Sequence, residues 1–139
     1  MPMKKGFKQL VAEAEAEIET LTVDQAKALH GDPKVTFVDL RDIRELEREG
    51  VVPGAFHAPR GMLEFWVDPD SPYFKPQFGT GNKFVFFCAA GWRSALATQQ
   101  VKRMGLEPVA HIAGGFGEWK KSGAPTAPYE KPQRAEKKG

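Results

Sequence analysis

The chain carries a single cysteine, Cys88, directly after its most apolar short run, Phe84-Val85-Phe86-Phe87, and directly before Ala89-Ala90-Gly91-Trp92-Arg93-Ser94. A thiol acts as a nucleophile through its thiolate, and a free thiol with the ordinary value of ~8.5 is mostly protonated at neutral pH. Three features of the segment favour a negative sulfur. Small residues let successive backbone N–H groups converge on one anion. Gly91 permits backbone conformations that other residues resist. A helix beginning near Ser94 adds the positive end of its dipole, and Arg93 adds a full positive charge. The same features would favour a bound oxyanion. A lone cysteine after an apolar strand is ordinarily buried and inert; here the small-residue loop, the arginine and the helix start reverse that reading. Cys88 is therefore the expected nucleophile, with Ala89, Ala90, Gly91, Trp92, Arg93 and Ser94 as the expected substrate-binding residues.

Other polar residues carry less. His30, His57 and His111 are scattered without metal-ligand spacing, so no metal is expected. His111 follows a strand pattern and reads as a hydrogen-bonded residue near the core rather than a general base. Asp39 and Arg41 sit at the end of a strand pattern and read as structural, with Arg41 paired to Glu45 or another carboxylate. Arg60, after a strand end, is a further candidate for attracting an anionic donor. No G-x-G-x-x-G or nucleotide-binding phosphate loop is present, and no cofactor is expected.

These residues need a frame to hold them. Val35 to Leu40, Ala55 to Ala58, Phe84 to Phe87 and Val109 to Ile112 read as strands. Thr22 with Gln25 is a capping-box signal for a helix from Val23 to His30, ended by Gly31-Asp32-Pro33. Charged helices are expected over 41–49, stopped by Gly50, and over 94–104, closed by Gly105. Shorter helices are expected near 62–67 and around Glu118-Trp119-Lys120. Phe7, Leu10, Val11, Ala14 and Ile18 recur at helical spacing, so 5–17 reads as an amphipathic helix outside the main fold, covering part of the core or a neighbouring subunit. Its polar face is acidic, which argues against a membrane surface. From Pro125 onward there is no apolar periodicity, and a disordered tail over 125–139 is expected. Strands alternating with helices imply a parallel sheet covered on both faces, with the ligand site beyond the carboxyl ends of the strands, where Cys88 falls.

Composition sets the bounds. The 139 residues suit one domain, and 41% apolar with 27% charged residues is the balance of a soluble globular chain. A net charge of +2 does not argue for nucleic acid as a partner. One cysteine excludes an internal disulfide and a C-x-x-C redox centre. A lone thiol suits a reducing compartment, and the opening residues lack the apolar region of an export signal, so the cytoplasm is the expected location.

The run Cys88-Ala89-Ala90-Gly91-Trp92-Arg93-Ser94 resembles the C-x-x-G-x-R-S loop of single-domain rhodaneses. Asp39-Leu40-Arg41-x-x-x-Glu45 resembles that family's D-x-R-x-x-x-E segment, Pro53-Gly54-Ala55 its H-I-P-G-A turn, and Gly114-Gly115-Phe116-x-x-Trp119 its closing G-G-x-x-x-W. The match covers residues 18–124, which gives an N-terminal helical extension over 1–17, the domain itself, and the tail. The resemblance implies an α/β, three-layer, rhodanese-like fold with a five-stranded parallel sheet flanked by helices. It also implies a sulfurtransferase that takes sulfur from a small anion such as thiosulfate as a Cys88 persulfide and passes it to a thiol or protein acceptor. The alternative is a persulfide carrier or a sulfide-responsive, partner-binding module. Neither nucleic acid nor membrane is implied as a partner. Val51 replaces the family's His, a structural position. Trp92 is bulky for the loop and would wall one side of the pocket. The aromatic 61–76 segment is longer than the minimal domain needs and reads as packing, with a lid or part of the acceptor site as the alternative. Dual-specificity cell-cycle phosphatases share a related fold but place five residues between Cys and Arg; here there are four, a smaller ring that suits sulfur better than phosphate.

Overall fold

The computed structural model describes residues 3–131. Its centre is one five-stranded sheet in which every neighbouring pair is parallel. In chain order the elements are α1 (Phe7–Glu17), β1 (Glu19–Leu21), α2 (Val23–Leu29), β2 (Val35–Asp39), α3 (Ile43–Glu49), β3 (Phe56–His57), α4 (Leu63–Val67), β4 (Lys83–Phe87), α5 (Trp92–Met104), β5 (Val109–Ile112) and α6 (Gly115–Lys121). The strand order is β1-β5-β4-β2-β3, so β4, which delivers Cys88, lies in the middle of the sheet. Burial on both faces explains why its side chains form an unbroken apolar run.

The pleat sorts each strand between two cores. Phe37, Val85, Phe87, Ala110 and Ile112 face one side with Phe116 and Trp119 of α6. Val38, Phe84, Phe86 and Val109 face the other with Leu63 and Val67 of α4 and Ala97 and Val101 of α5. Each large side chain so buried contributes about 1.5–3 kcal/mol. Alternation along β5 also decides the place of His111: it lies between Ala110 and Ile112 and shares the α5 side with Val109.

The helices begin where the sequence says they should. Thr22 and Gln25 form the expected capping box on α2, and Asp42 with Glu45 forms a second on α3. The strand pattern at Val35–Asp39 is as read, whereas β1 carries no recognisable run, having two exposed residues out of three.

Helix α1 covers part of the core, as expected, but as part of the fold rather than outside it: it lies along α5 with Ala14 fully buried, and Arg103 and Lys102 of α5 bind the Glu17 side chain and carbonyl at 2.8 Å each. The segment after Ala124 is not free where it begins. The Trp119 indole donates to the Pro125 carbonyl, and Ala127 pairs with Val51 in an antiparallel bridge. The rest of the expected tail, 132–139, lies outside the described residues. The aromatic 61–76 segment does pack: Trp66 lies against Phe56 with Lys75 over its ring, while Phe65 is exposed.

Arg41 has the structural carboxylate partner expected of it, and of the alternatives it is not Glu45 but Asp39, at the end of β2, with both side chains buried. Arg41 Nε donates to both Asp39 oxygens, Nη2 donates to Asp39 Oδ2 and the Gly50 carbonyl at 2.8 Å each, and the Phe116 ring stacks 4.1 Å away. A buried pair leaves an unmatched charge when one partner goes, so Arg41→Ala is expected to cost about 3–5 kcal/mol. Urea unfolding at neutral pH measures it; a loss under about 1 kcal/mol would mean that Asp39 does not depend on this partner.

Candidate active site

Cys88 follows β4 at the carboxyl end of the sheet, and α5 starts at Trp92, slightly earlier than expected. Gly91 is the N-cap, with φ of 100°, and has no side chain with which to cap. The first N–H groups of a helix have no acceptor within it, and an N-cap Ser or Asp ordinarily supplies one. Here the cap is a sulfur. The Gly91 N–H donates to Cys88 Sγ at 3.2 Å and the Ser94 N–H at 3.3 Å. The thiol in turn donates to Ser94 Oγ at 3.6 Å. A neutral thiol is a weak acceptor, so two buried amides aimed at it are far better matched by a negative sulfur.

Helix α6 turns the loop's carbonyls outward. The Phe116 N–H donates to the Cys88 carbonyl at 2.7 Å and the Gly117 N–H to that of Ala89 at 3.0 Å. That clamp needs Gly115: a Cβ there would sit 2.3 Å from the Cys88 carbonyl oxygen, and its φ is +59°. Gly115 is thus explained by close approach of two backbones, and Gly114 by the left-handed N-cap of α6, where a Cβ would also strike the Glu118 side chain.

The expected substrate-binding residues are not equivalent in space. Gly91 and Ser94 are buried against the sulfur, Ala89 is half-buried, and Ala90 and Trp92 are exposed. Trp92 points outward and stacks on Phe7 of α1, with ring centroids 4.7 Å apart. Arg93 is half-buried and engaged elsewhere: its two terminal nitrogens grip Glu45 at 2.9 and 3.0 Å. Glu45 Oε2 also accepts from the Asp42 N–H, so one carboxylate ties the start of α3 to the start of α5. Arg93 holds the Glu45 carboxyl at about 2, well below its usual 4.5. Glu45 raises Arg93 above its usual value, with burial opposing and Cys88 adding smaller support. Arg93 is therefore largely neutralised by Glu45 rather than free to lend a full charge to the thiol. That long-range pair was not legible in the sequence.

The histidines all have protein partners. His30 Nε2 lies 2.8 Å from the Pro53 carbonyl and His57 Nε2 2.7 Å from that of Arg41. His111 reaches the site: Nδ1 is 2.9 Å from Ser94 Oγ, and Nε2 is 3.2 Å from Glu15 Oε2 of α1. Arg60 is paired with Glu64 at 2.9 Å. Among the described residues, no helix is long and apolar enough to cross a membrane.

Two outcomes follow from these contacts. Gly115→Ala should cost at least about 1–2 kcal/mol from its left-handed backbone alone and more from the clash, read by thermal unfolding. A lowered Glu45 carboxyl stabilises the fold fully above about pH 4.5, and that stabilisation is lost as pH falls toward about 2. The stability difference between the native chain and Glu45→Gln, in urea, should therefore be present at pH 6.5 and shrink toward nothing by pH 2. A difference that stays constant would rule out the carboxylate as its source.

Comparison with known proteins matches this architecture. Residues 22–122 match the Rhodanese-like domain family. A mouse thiosulfate sulfurtransferase/rhodanese-like domain-containing protein is 26% identical over 104 residues, covering 71% of this chain and 66% of the mouse protein. A Rhodopseudomonas palustris structure, of a protein of unknown function named as a possible tyrosine phosphatase, is 53% identical with a TM-score of 0.88, covering 91% of this chain and 98% of its own. The polysulfide-sulfur transferase homodimer of Wolinella succinogenes is 26% identical with a TM-score of 0.67, covering 89% of this chain and 88% of its own. With the sheet order, the thiol-capped helix and a family match over most of its length, this chain belongs to the rhodanese-like domain family, which has sulfurtransferases among its relatives.

Proposed function

We propose that the protein is a sulfurtransferase that carries sulfane sulfur as a Cys88 persulfide. The observation that carries this reading is the pair of amides from Gly91 and Ser94 converging on Sγ at the start of a thirteen-residue helix. Such a cradle suits a negative sulfur, first as thiolate and then as persulfide. The Cys88 thiolate attacks the outer sulfur of a donor such as thiosulfate. A new S–S bond forms to Cys88, the donor's S–S bond breaks, and its electron pair leaves with sulfite. The Trp92 and Arg93 amides, which belong to the first turn of α5 and lack acceptors within it, are the donors for the added outer sulfur. A thiol, a partner protein, or cyanide in an assay then takes that sulfur and restores the thiolate. This is covalent catalysis in two half-reactions with ping-pong kinetics. With one cysteine in the chain, no internal thiol resolves the persulfide, and an external acceptor must.

The name of the Rhodopseudomonas palustris relative keeps a phosphatase reading in play. Four residues separate Cys88 from Arg93, and Arg93 is gripped by Glu45. A phosphate cradle needs a free guanidinium and a wider ring, so this site favours the smaller sulfur.

Intact-protein mass spectra before and after thiosulfate test the reading. The native chain should gain one sulfur, about 32 Da, which cyanide removes and which Cys88→Ser never acquires. Absence of an adduct with thiosulfate and with glutathione persulfide, together with turnover of an aryl phosphate, would replace this reading with the phosphatase one.

A further inference from the structure

Residue His111 is a fully buried titratable group that the sulfur chemistry above does not use. It stands on β5, on the sheet face that carries Val38, Phe84, Phe86 and Val109, where an unpartnered imidazole would be costly. Each ring nitrogen has one partner. Nε2 meets Glu15 Oε2, whose side chain is 41% exposed, and Nδ1 meets Ser94 Oγ. Ser94 Oγ in turn accepts from the Cys88 thiol. The four groups form one continuous line from the buried sulfur to the surface. Its outer member comes from α1, which precedes the residues matched to the family.

The direction of each hydrogen bond is forced. An ionised carboxylate only accepts, so Nε2 carries the proton it gives to Glu15. A neutral ring then leaves Nδ1 bare to accept the Ser94 hydroxyl, and Ser94 Oγ remains to accept the thiol proton.

We propose that Ser94, His111 and Glu15 form a proton relay that takes up the Cys88 proton as the thiolate forms, giving a thiolate–imidazolium pair for the reaction. Ser94 is the group in contact with the reacting atom, and His111 and Glu15 are positioning residues behind it. The S–H bond of Cys88 breaks as its proton passes to Ser94 Oγ. The hydroxyl proton of Ser94 passes at the same time to His111 Nδ1. No atom enters or leaves, and every contact survives in reverse: Nδ1–H now donates to Ser94, and Ser94 donates to the negative sulfur. Glu15 balances the imidazolium charge. The relay rests on the sulfurtransferase reading only for what the thiolate goes on to attack.

Burial keeps the His111 ring below its usual pKa, with Glu15 opposing that effect, so at rest the ring is neutral and ready to accept. The neighbouring strands place Thr20 of β1 and Phe86 of β4 beside His111 in register, neither of them charged. Lys102 and Arg103 of α5 are occupied by Glu17, and Arg93 by Glu45. Glu15 is thus the charge that acts on the ring, while Arg93, largely neutralised by Glu45, interacts only weakly with the sulfur.

The test is the pH profile of Cys88 alkylation by iodoacetamide on the full chain, read by intact mass. Glu15→Gln keeps an acceptor for Nε2 on an exposed helix face but removes the balancing charge. Its profile should move upward by about one pH unit, with alkylation roughly tenfold slower near neutrality. His111→Asn should move it the same way, and the double variant no further than His111→Asn alone. If His111→Asn fails a thermal-unfolding check, Glu15→Gln decides by itself. A Glu15→Gln profile superimposed on the native one overturns the relay and leaves His111 as a satisfied core residue. The thiosulfate adduct, measured on the same samples, separates the two ideas. Shifted profiles without an adduct keep the relay and remove sulfur transfer; an adduct with unshifted profiles does the opposite.

Discussion

The two backbone N–H groups that meet at Cys88 Sγ, from Gly91 and Ser94, set the terms for the rest of the structure. A helix start must find acceptors for its first amides. Here the sulfur is that acceptor, so the same contact begins α5 and prepares the nucleophile. The surrounding devices keep this contact in register. Helix α6 binds the loop carbonyls from outside, which is possible because Gly115 lets two backbones come together. The Arg93–Glu45 pair joins the starts of α5 and α3. The buried Asp39–Arg41 pair fixes the end of the strand next to β4 and reaches across to Gly50 and Phe116.

Much of this was legible before the fold was known. The strand ending at Cys88 announces itself because a centrally placed parallel strand is apolar on both faces, and Phe84 to Phe87 has no other economical reading. The small-residue loop and the Gly-Gly pair were legible because backbone crowding leaves few choices of residue. The four segments that resemble the rhodaneses fall where the sheet needs them: at the ends of β2 and β4, before β3, and at the start of α6.

What escaped the sequence was pairing across distance. Arg41 reads as paired with Glu45 or another carboxylate, and only the fold shows that the partner is Asp39, its near neighbour along the chain. Glu45 then goes to Arg93, 48 positions on, and nothing local announces such a pair. The short β1 has only Leu21 buried, so no periodicity marks it. Helix α1 looked peripheral because its apolar face is modest. Its position on α5 shows only once the sheet order places β5 beside β1, and with it comes the contact from Glu15 to His111. The start of the tail was missed because its anchors are a carbonyl and a two-residue bridge, which carry no side-chain signal.

Taken together, the site is a sulfur held by a helix start and reached from behind by a buried histidine. Its central claim is that the amides of the Cys88 loop cradle a negative sulfur. A crystal structure of the protein after incubation with thiosulfate addresses this most directly. The account predicts a second sulfur bonded to Cys88 Sγ and lying within about 3.5 Å of amides from the 89–94 segment. Density for an added sulfur turned away from those amides, or an unmodified Cys88 beside a tetrahedral anion bound by Arg93, would contradict it.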